Sequence, residues 1–130
     1  PDQDLTYPFP SIVKRAMNLR EDEEMTVWGS GKQVRDFVHI EDCIDLIINH
    51  SHSINDGSAI NISTGIPTNF NQLAQKILNI LNKKNTIVNS SSKPEGVFFR
   101  VGDRKKQIEC GFNPKYSLEE GILETIKFFS

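Results

Sequence analysis

Val27-Trp28-Gly29-Ser30-Gly31-Lys32-Gln33-Val34-Arg35-Asp36-Phe37-Val38-His39-Ile40-Glu41-Asp42 is the stretch that decides how this chain is read. A short apolar strand, Met25 to Trp28, runs into a Gly-x-Gly turn. Four residues on, Arg35 opens a second strand, expected over about Arg35 to Ile40. That strand ends on an acidic pair suited to the start of a helix, where negative charge meets the positive end of the helix dipole. One guanidinium is thus placed at a strand start, beside a loop with little side-chain bulk. The group is always charged and forked, and it suits a bidentate grip on a phosphate. The competing reading is a structural ion pair with Asp36, Glu41 or Asp42.

Outward from this stretch, the whole chain sets bounds. Its 130 residues make one ordinary domain or a piece of a larger one. Hydrophobic residues make up 37% and charged residues 25%, the balance of a globular chain with a core. The net charge of −2, with both signs interspersed, argues against a nucleic-acid or membrane-surface partner. No apolar run approaches the roughly 20 residues of a membrane helix. Pro1-Asp2-Gln3-Asp4 lacks the basic start of a signal peptide. Cys43 and Cys110 read as buried free thiols, and His39, His50 and His52 have no ligand-like companions, so no metal site is expected. The compartment inferred is cytoplasmic.

Periodicity places the elements. A helix from Pro10 to about Leu19 shows Ile12, Val13, Ala16, Met17 and Leu19 as an apolar stripe. A second helix, from Glu41-Asp42, carries Cys43, Ile44, Ile47 and Ile48 on one face. Ser58 to Ser63 reads as a strand. Thr68 is the expected cap of the clearest helix, where Phe70, Leu73, Ala74, Ile77, Leu78 and Leu81 recur at helical spacing. Strands are expected at Thr86 to Asn89 and Val97 to Val101, with a loop over Ser90 to Gly96 between them. A short helix over Asp103 to Cys110 stops at Gly111. The last helix opens on a capping box, Ser117-Leu118-Glu119-Glu120, and turns Leu118, Ile122, Leu123, Ile126 and Phe129 inward. The result is a compact mixed α/β layer without a regular βαβ rhythm.

Two absences bear on function. Gly29-x-Gly31 is followed by neither a third Gly nor a helix, so it is no dinucleotide-binding loop. No Ser-His-Asp or Cys-His arrangement is suggested. Trp28 reads either as core or as the lining of a ligand pocket. Asp103 reads as a helix N-cap or a ligand contact, and His39 as a packed, non-catalytic residue. A second basic group, Arg100, sits at the end of the strand before Gly102, with Arg104 and Lys93 as alternatives to it.

The chain resembles the extended short-chain dehydrogenase/reductase family, the NAD(P)-dependent nucleotide-sugar epimerases, dehydratases and reductases. The likeness runs from about residue 8 to 129. It is carried by Pro8-Phe9-Pro10-Ser11-Ile12-Val13, Thr26-Val27-Trp28-Gly29, Arg35-Asp36-Phe37, Asn61-Ile62-Ser63-Thr64-Gly65-Ile66-Pro67, Arg100-Val101-Gly102-Asp103 and Gly111 to Gly121. Each piece is weak alone, and their order makes the assignment. Trp28-Gly29-Ser30-Gly31 and Lys93-Pro94-Glu95-Gly96 look most like the GDP-L-fucose synthase branch.

The resemblance matches only the C-terminal, substrate-binding part of that fold and implies that a Rossmann domain is missing. It implies that Thr26, Val27 and Trp28 lie along the base and ribose of a nucleoside-diphosphate sugar, and that Arg35 and Arg100 hold the diphosphate. It implies NAD or NADP bound by the missing domain, none held by this chain, and a homodimer of the full enzyme. The family's Tyr-x-x-x-Lys pair is absent: Tyr7 and Tyr116 have Ser11 and Glu120 four residues on. This chain alone is therefore expected to be inactive. The alternative is a free-standing, non-catalytic nucleotide-sugar-binding or interaction module.

Overall fold

Three amphipathic helices close over a parallel strand pair, and the core lies between them. The computed structural model describes residues 7–90 and 96–130. In chain order the elements are α1 (Pro8–Asn18), β1 (Met25–Trp28), β2 (Val34–Arg35), α2 (Ile40–Asp45), β3 (Thr68–Asn69), α3 (Phe70–Ile80), β4 (Ile87–Ser90), β5 (Phe99–Arg100), α4 (Lys105–Glu109) and α5 (Leu118–Phe129). α2 runs on into a π-helical turn, Leu46–His50, and a 3₁₀ turn, Ser51–Ser53. β1 pairs with β4 in parallel, from Met25 against Ile87 to Trp28 against Ser90. A second small sheet has the order β3-β2-β5, antiparallel at β2·β3 and parallel at β2·β5. The mixed α/β class expected from the sequence is the one found.

The helices form where their apolar stripes predict. Pro8 sits in the first turn of α1, where its missing N–H is no loss. Ile12, Val13 and Ala16 of α1 pack with Leu73, Ala74, Ile77 and Leu78 of α3, Ile122 of α5, and Met25 and Val27 of β1. The last carbonyls of α1 are collected by one ammonium. Lys83 Nζ donates to the carbonyls of Ala16 at 2.8 Å, Met17 at 2.9 Å and Leu19 at 2.6 Å. α3 ends on Asn82 in the left-handed conformation, φ 55°, with Lys83 N–H returning to the Leu78 carbonyl. The Ser117 capping box of α5 is present in full.

Several expectations are corrected. The cap of α3 is Asn69, with Gln72 completing the box, and Thr68 lies instead on β3. The strand expected over Arg35 to Ile40 pairs only at Val34–Arg35, and that over Val97 to Val101 only at Phe99–Arg100. Ser58 to Ser63 forms no ladder among the described residues. α4 is shorter than expected. In α5, Leu123 points to solvent.

The second helix turns the other way round from its reading. Its N-terminal amide, that of Glu41, is accepted by His39 Nδ1 and not by an acidic side chain. Asp42 and Leu46 are its buried residues, and the isoleucines face out. Asp42 is drawn in because its carboxylate accepts the Lys115 N–H at 2.9 Å and the Tyr116 N–H at 3.2 Å. Both cysteines are free thiols, but each is only half-buried and not buried as expected. No described helix is long and apolar enough to cross a membrane, and no metal-ligand cluster occurs among the described residues. Most of the expected loop at Ser90 to Gly96 lies outside the described residues, as does Lys93.

Candidate functional site

The site is assembled from two adjacent short strands. Val34-Arg35 of β2 pairs in parallel with Phe99-Arg100 of β5, and Arg35 stands in register with Arg100. Side chains at paired positions of parallel strands leave on the same face, so the sheet sets two guanidiniums side by side. Burial and then the charge of Arg100 push the Arg35 guanidinium below its ordinary value, yet it stays charged. One face of Arg35 packs over the Phe70 ring, with the guanidinium carbon 5.4 Å from the centroid, and Nη1 donates to the Val34 carbonyl at 2.7 Å. Among the described residues no carboxylate lies within ion-pair distance of Arg35 or Arg100. The nearest acids in sequence are committed elsewhere. Two like charges held in register without an internal counterion are a ready partner for an anion with two negative centres.

The other sequence-predicted residues fall into two groups. Thr26, Val27 and Trp28 lie together on β1. Val27 is core, its side chain fully buried. Trp28 is 40% exposed at the end of the strand, beside the glycine turn. That turn needs its glycines. Gly29 and Gly31 both have φ of 69°, and a Cβ on Gly31 would sit 2.0 Å from Asn71 Oδ1. A reciprocal amide pair between Asn71 and Asn89 closes it from the side. Asp103 is spent on the turn entering α4, where its carboxylate accepts the Lys105 N–H at 2.9 Å. His39 is packed as expected, stacked on Tyr116 at 4.1 Å with Nε2 3.0 Å from Glu124.

Three residues that matter escaped the sequence reading. Arg15 of α1 donates to the Thr26 carbonyl at 2.7 Å and lies over the Trp28 ring at 5.3 Å, which fixes both positions of β1. Asp36, next to Arg35, receives the hydroxyls of Ser63 and Thr64 and the amides of Thr64 and Gly65, the amides at 3.1 Å each. Burial alone would raise its carboxyl; these donors outweigh that and hold it below the usual carboxylate range. Gln107, fully buried, accepts the Ser63 N–H at 2.9 Å and donates to the Ser63 carbonyl at 2.8 Å, as a neighbouring strand would. The only signals for these were an Arg on the polar side of an amphipathic helix and an acid beside a strand Arg.

A groove of about 630 Å³ lies apart from the arginines, between Phe37-Val38-His39-Ile40 and α5, with Leu118 and Phe128 on its wall. Its walls are mostly apolar, and it does not include Arg35 or Arg100.

Comparison with known proteins gives a consistent picture. A family model described as "NAD dependent epimerase/dehydratase family" matches residues 7–63. A curated relative from Oryza sativa subsp. japonica, "Probable GDP-L-fucose synthase 1", is 28% identical over 95% of this chain and 38% of its own length. The solved UDP-glucose 4-epimerase of Thermotoga maritima with UDP-glucose matches at TM-score 0.80 and 29% identity, over 99% of this chain and 42% of that one. A GDP-L-fucose synthetase structure from Naegleria fowleri shares the fold at TM-score 0.81 and 19% identity, over 97% and 40%. The chain spans about two fifths of the length of each.

Proposed function

We propose that this chain is the part of an extended short-chain dehydrogenase/reductase, of the NAD-dependent epimerase and dehydratase kind it is similar to, that grips a nucleotide-sugar. The observation carrying the reading is the register of Arg35 with Arg100, with no carboxylate at ion-pair distance among the described residues, at the end of a sheet. The two guanidiniums take the diphosphate; Thr26 and Trp28, braced by Arg15, lie along the nucleoside. Fixing the diphosphate fixes the sugar ring relative to whatever reacts with it, an orientation effect able to lower a barrier by several kcal/mol. The dinucleotide, NAD or NADP, and the acid-base pair belong to residues outside these 130. The hydride and proton steps therefore belong there too. Among nucleotides, GDP is the first choice, after the rice relative's name.

Calorimetric titration with GDP, UDP, dTDP and CDP tests this. One nucleotide should bind with a dissociation constant of roughly 10 μM to 1 mM. Arg35→Ala should weaken it by about 2 kcal/mol, roughly thirtyfold, the size of a lost charge-assisted hydrogen bond. Equal affinity of the wild type and the variant would refute the assignment of Arg35.

A further inference from the structure

Phenylalanine rings are usually packed, and in this chain the exceptions are adjacent. Phe9 packs on Phe37, Phe112 on His50 and Phe128 on Phe129, while Phe70 carries the Arg35 guanidinium on its face. Of the chain's eight phenylalanines that leaves Phe98 and Phe99, against which no ring or cation packs among the described residues. They are 60% and 59% exposed. A ring left in water forgoes the stabilisation that burial gives, so two of them on one strand mark a surface that meets something. Here that strand is β5, and the next residue is Arg100.

The sheet separates the two rings. The β5 ladder starts at the Phe98 carbonyl, which accepts the Val34 N–H at 2.8 Å. Side chains alternate along a strand, so Phe98 leaves on the face of Arg100 and Phe99 on the other. The face of Phe98 is thus the one on which Arg100 stands in register with Arg35. β2 and β5 run parallel, and the chain enters β2 from β1 through the glycine turn. Upstream of Arg35 lie that turn and Trp28. Upstream of Arg100, two residues or roughly 7 Å along the strand, lies Phe98. Trp28 and Phe98 therefore stand toward the same end of the paired arginines.

We infer that Phe98 is a specificity-determining residue of the arginine site, a stacking platform for the base of the bound nucleotide. The inference rests on the reading of this chain as the part of an enzyme that grips a nucleotide-sugar. With the diphosphate between Arg35 and Arg100, the nucleoside runs toward Trp28 and Phe98, and the Phe98 ring covers one face of the base. The face of a base carries no donor–acceptor pattern, so stacking adds affinity without reading the edge. What it reads is area: a purine covers more of the ring than a pyrimidine does. Phe98 thus favours purine over pyrimidine nucleotides and does not tell guanine from adenine.

Titration of the chain and its variants with GDP, ADP, UDP and inorganic pyrophosphate tests this. Phe98→Leu keeps the apolar bulk and removes the aromatic face. It should weaken GDP and ADP by about tenfold each, UDP by less, and leave pyrophosphate within about twofold. Phe98→Tyr, which keeps the ring, should retain the wild-type affinities. The residue is exposed in the free chain, so neither variant should lower the melting temperature. Stacking also has a spectroscopic signature: the ring current should move the purine ring proton of GDP upfield on the wild type, and less so on Phe98→Leu. Unchanged GDP affinity in Phe98→Leu, equal losses of GDP and pyrophosphate, or the same proton shift on both chains would each overturn the inference. Arg35→Ala separates it from the reading beneath, since that change should weaken pyrophosphate and GDP alike. A wild-type chain that binds neither would overturn both. Loss of both ligands in Arg35→Ala, with GDP untouched by Phe98→Leu, would overturn the role of Phe98 alone.

Discussion

One half of this molecule is held by packing, and the other by side chains that stand in for a backbone ladder. In α1, α3, α5 and the β1·β4 pair, apolar residues from every element meet in a single core. In the half that holds the arginines, the strands are two residues long. The loop at Ser63-Thr64-Gly65 hangs on Asp36, and Ser63 is paired by Gln107. The first arrangement buries its apolar side chains against one another. The second gives geometry with little burial, which suits the ligand-gripping surface proposed for it.

Substitutions can sharpen that contrast. Leu73→Ala, in the centre of the packed half, should cost about 3 kcal/mol in denaturant unfolding, the transfer and cavity terms together. Asp36→Asn should cost about 2 kcal/mol, because four donors lose a charged acceptor, and the loss should be local, seen as faster exchange of the Thr64 and Gly65 amides.

The same residue predicts a pH dependence. The Asp36 carboxyl ionises at a lower pH folded than unfolded. Its contribution is therefore full above the unfolded value, about 3.9, and is lost as pH falls through the lower folded value. The stability gap between the wild type and Asp36→Asn should accordingly close in melts taken below about pH 4. Smallest of all, Ile47→Ser should change stability by less than about 0.5 kcal/mol in a chain that leaves the residue in solvent. A large loss there would break the comparison, since it would mean that α2 is covered in the isolated chain.

The packed half was legible in the sequence because its signals are local. The stripe of α3 from Phe70 to Leu78 and the Ser117 box can each be read within a dozen residues. The adjacent Thr68 and Asn69 are both good caps, and only the chain path decides between them. The other half was legible only in its arginines. Asp36 and Ser63 are 27 residues apart, and Ser63 and Gln107 are 44 apart, with no periodicity to join them. For α2 the periodicity was real but its direction was not given. An isoleucine stripe announces a buried face without naming what buries it, and Asp42, the residue facing the chain's own interior, is the least expected for that place.

Lys83 carries a consequence for labelling chemistry. All three of its ammonium hydrogens are donated to carbonyls at the end of α1. Acylating reagents require the free amine with its lone pair exposed, so this lysine should react last among those of the chain. Acylation there would also strip the helix end of its acceptors' partner. A footprint in which Lys83 stays unmodified while Lys84 reacts would thus report, from a single peptide, that the packed half has folded.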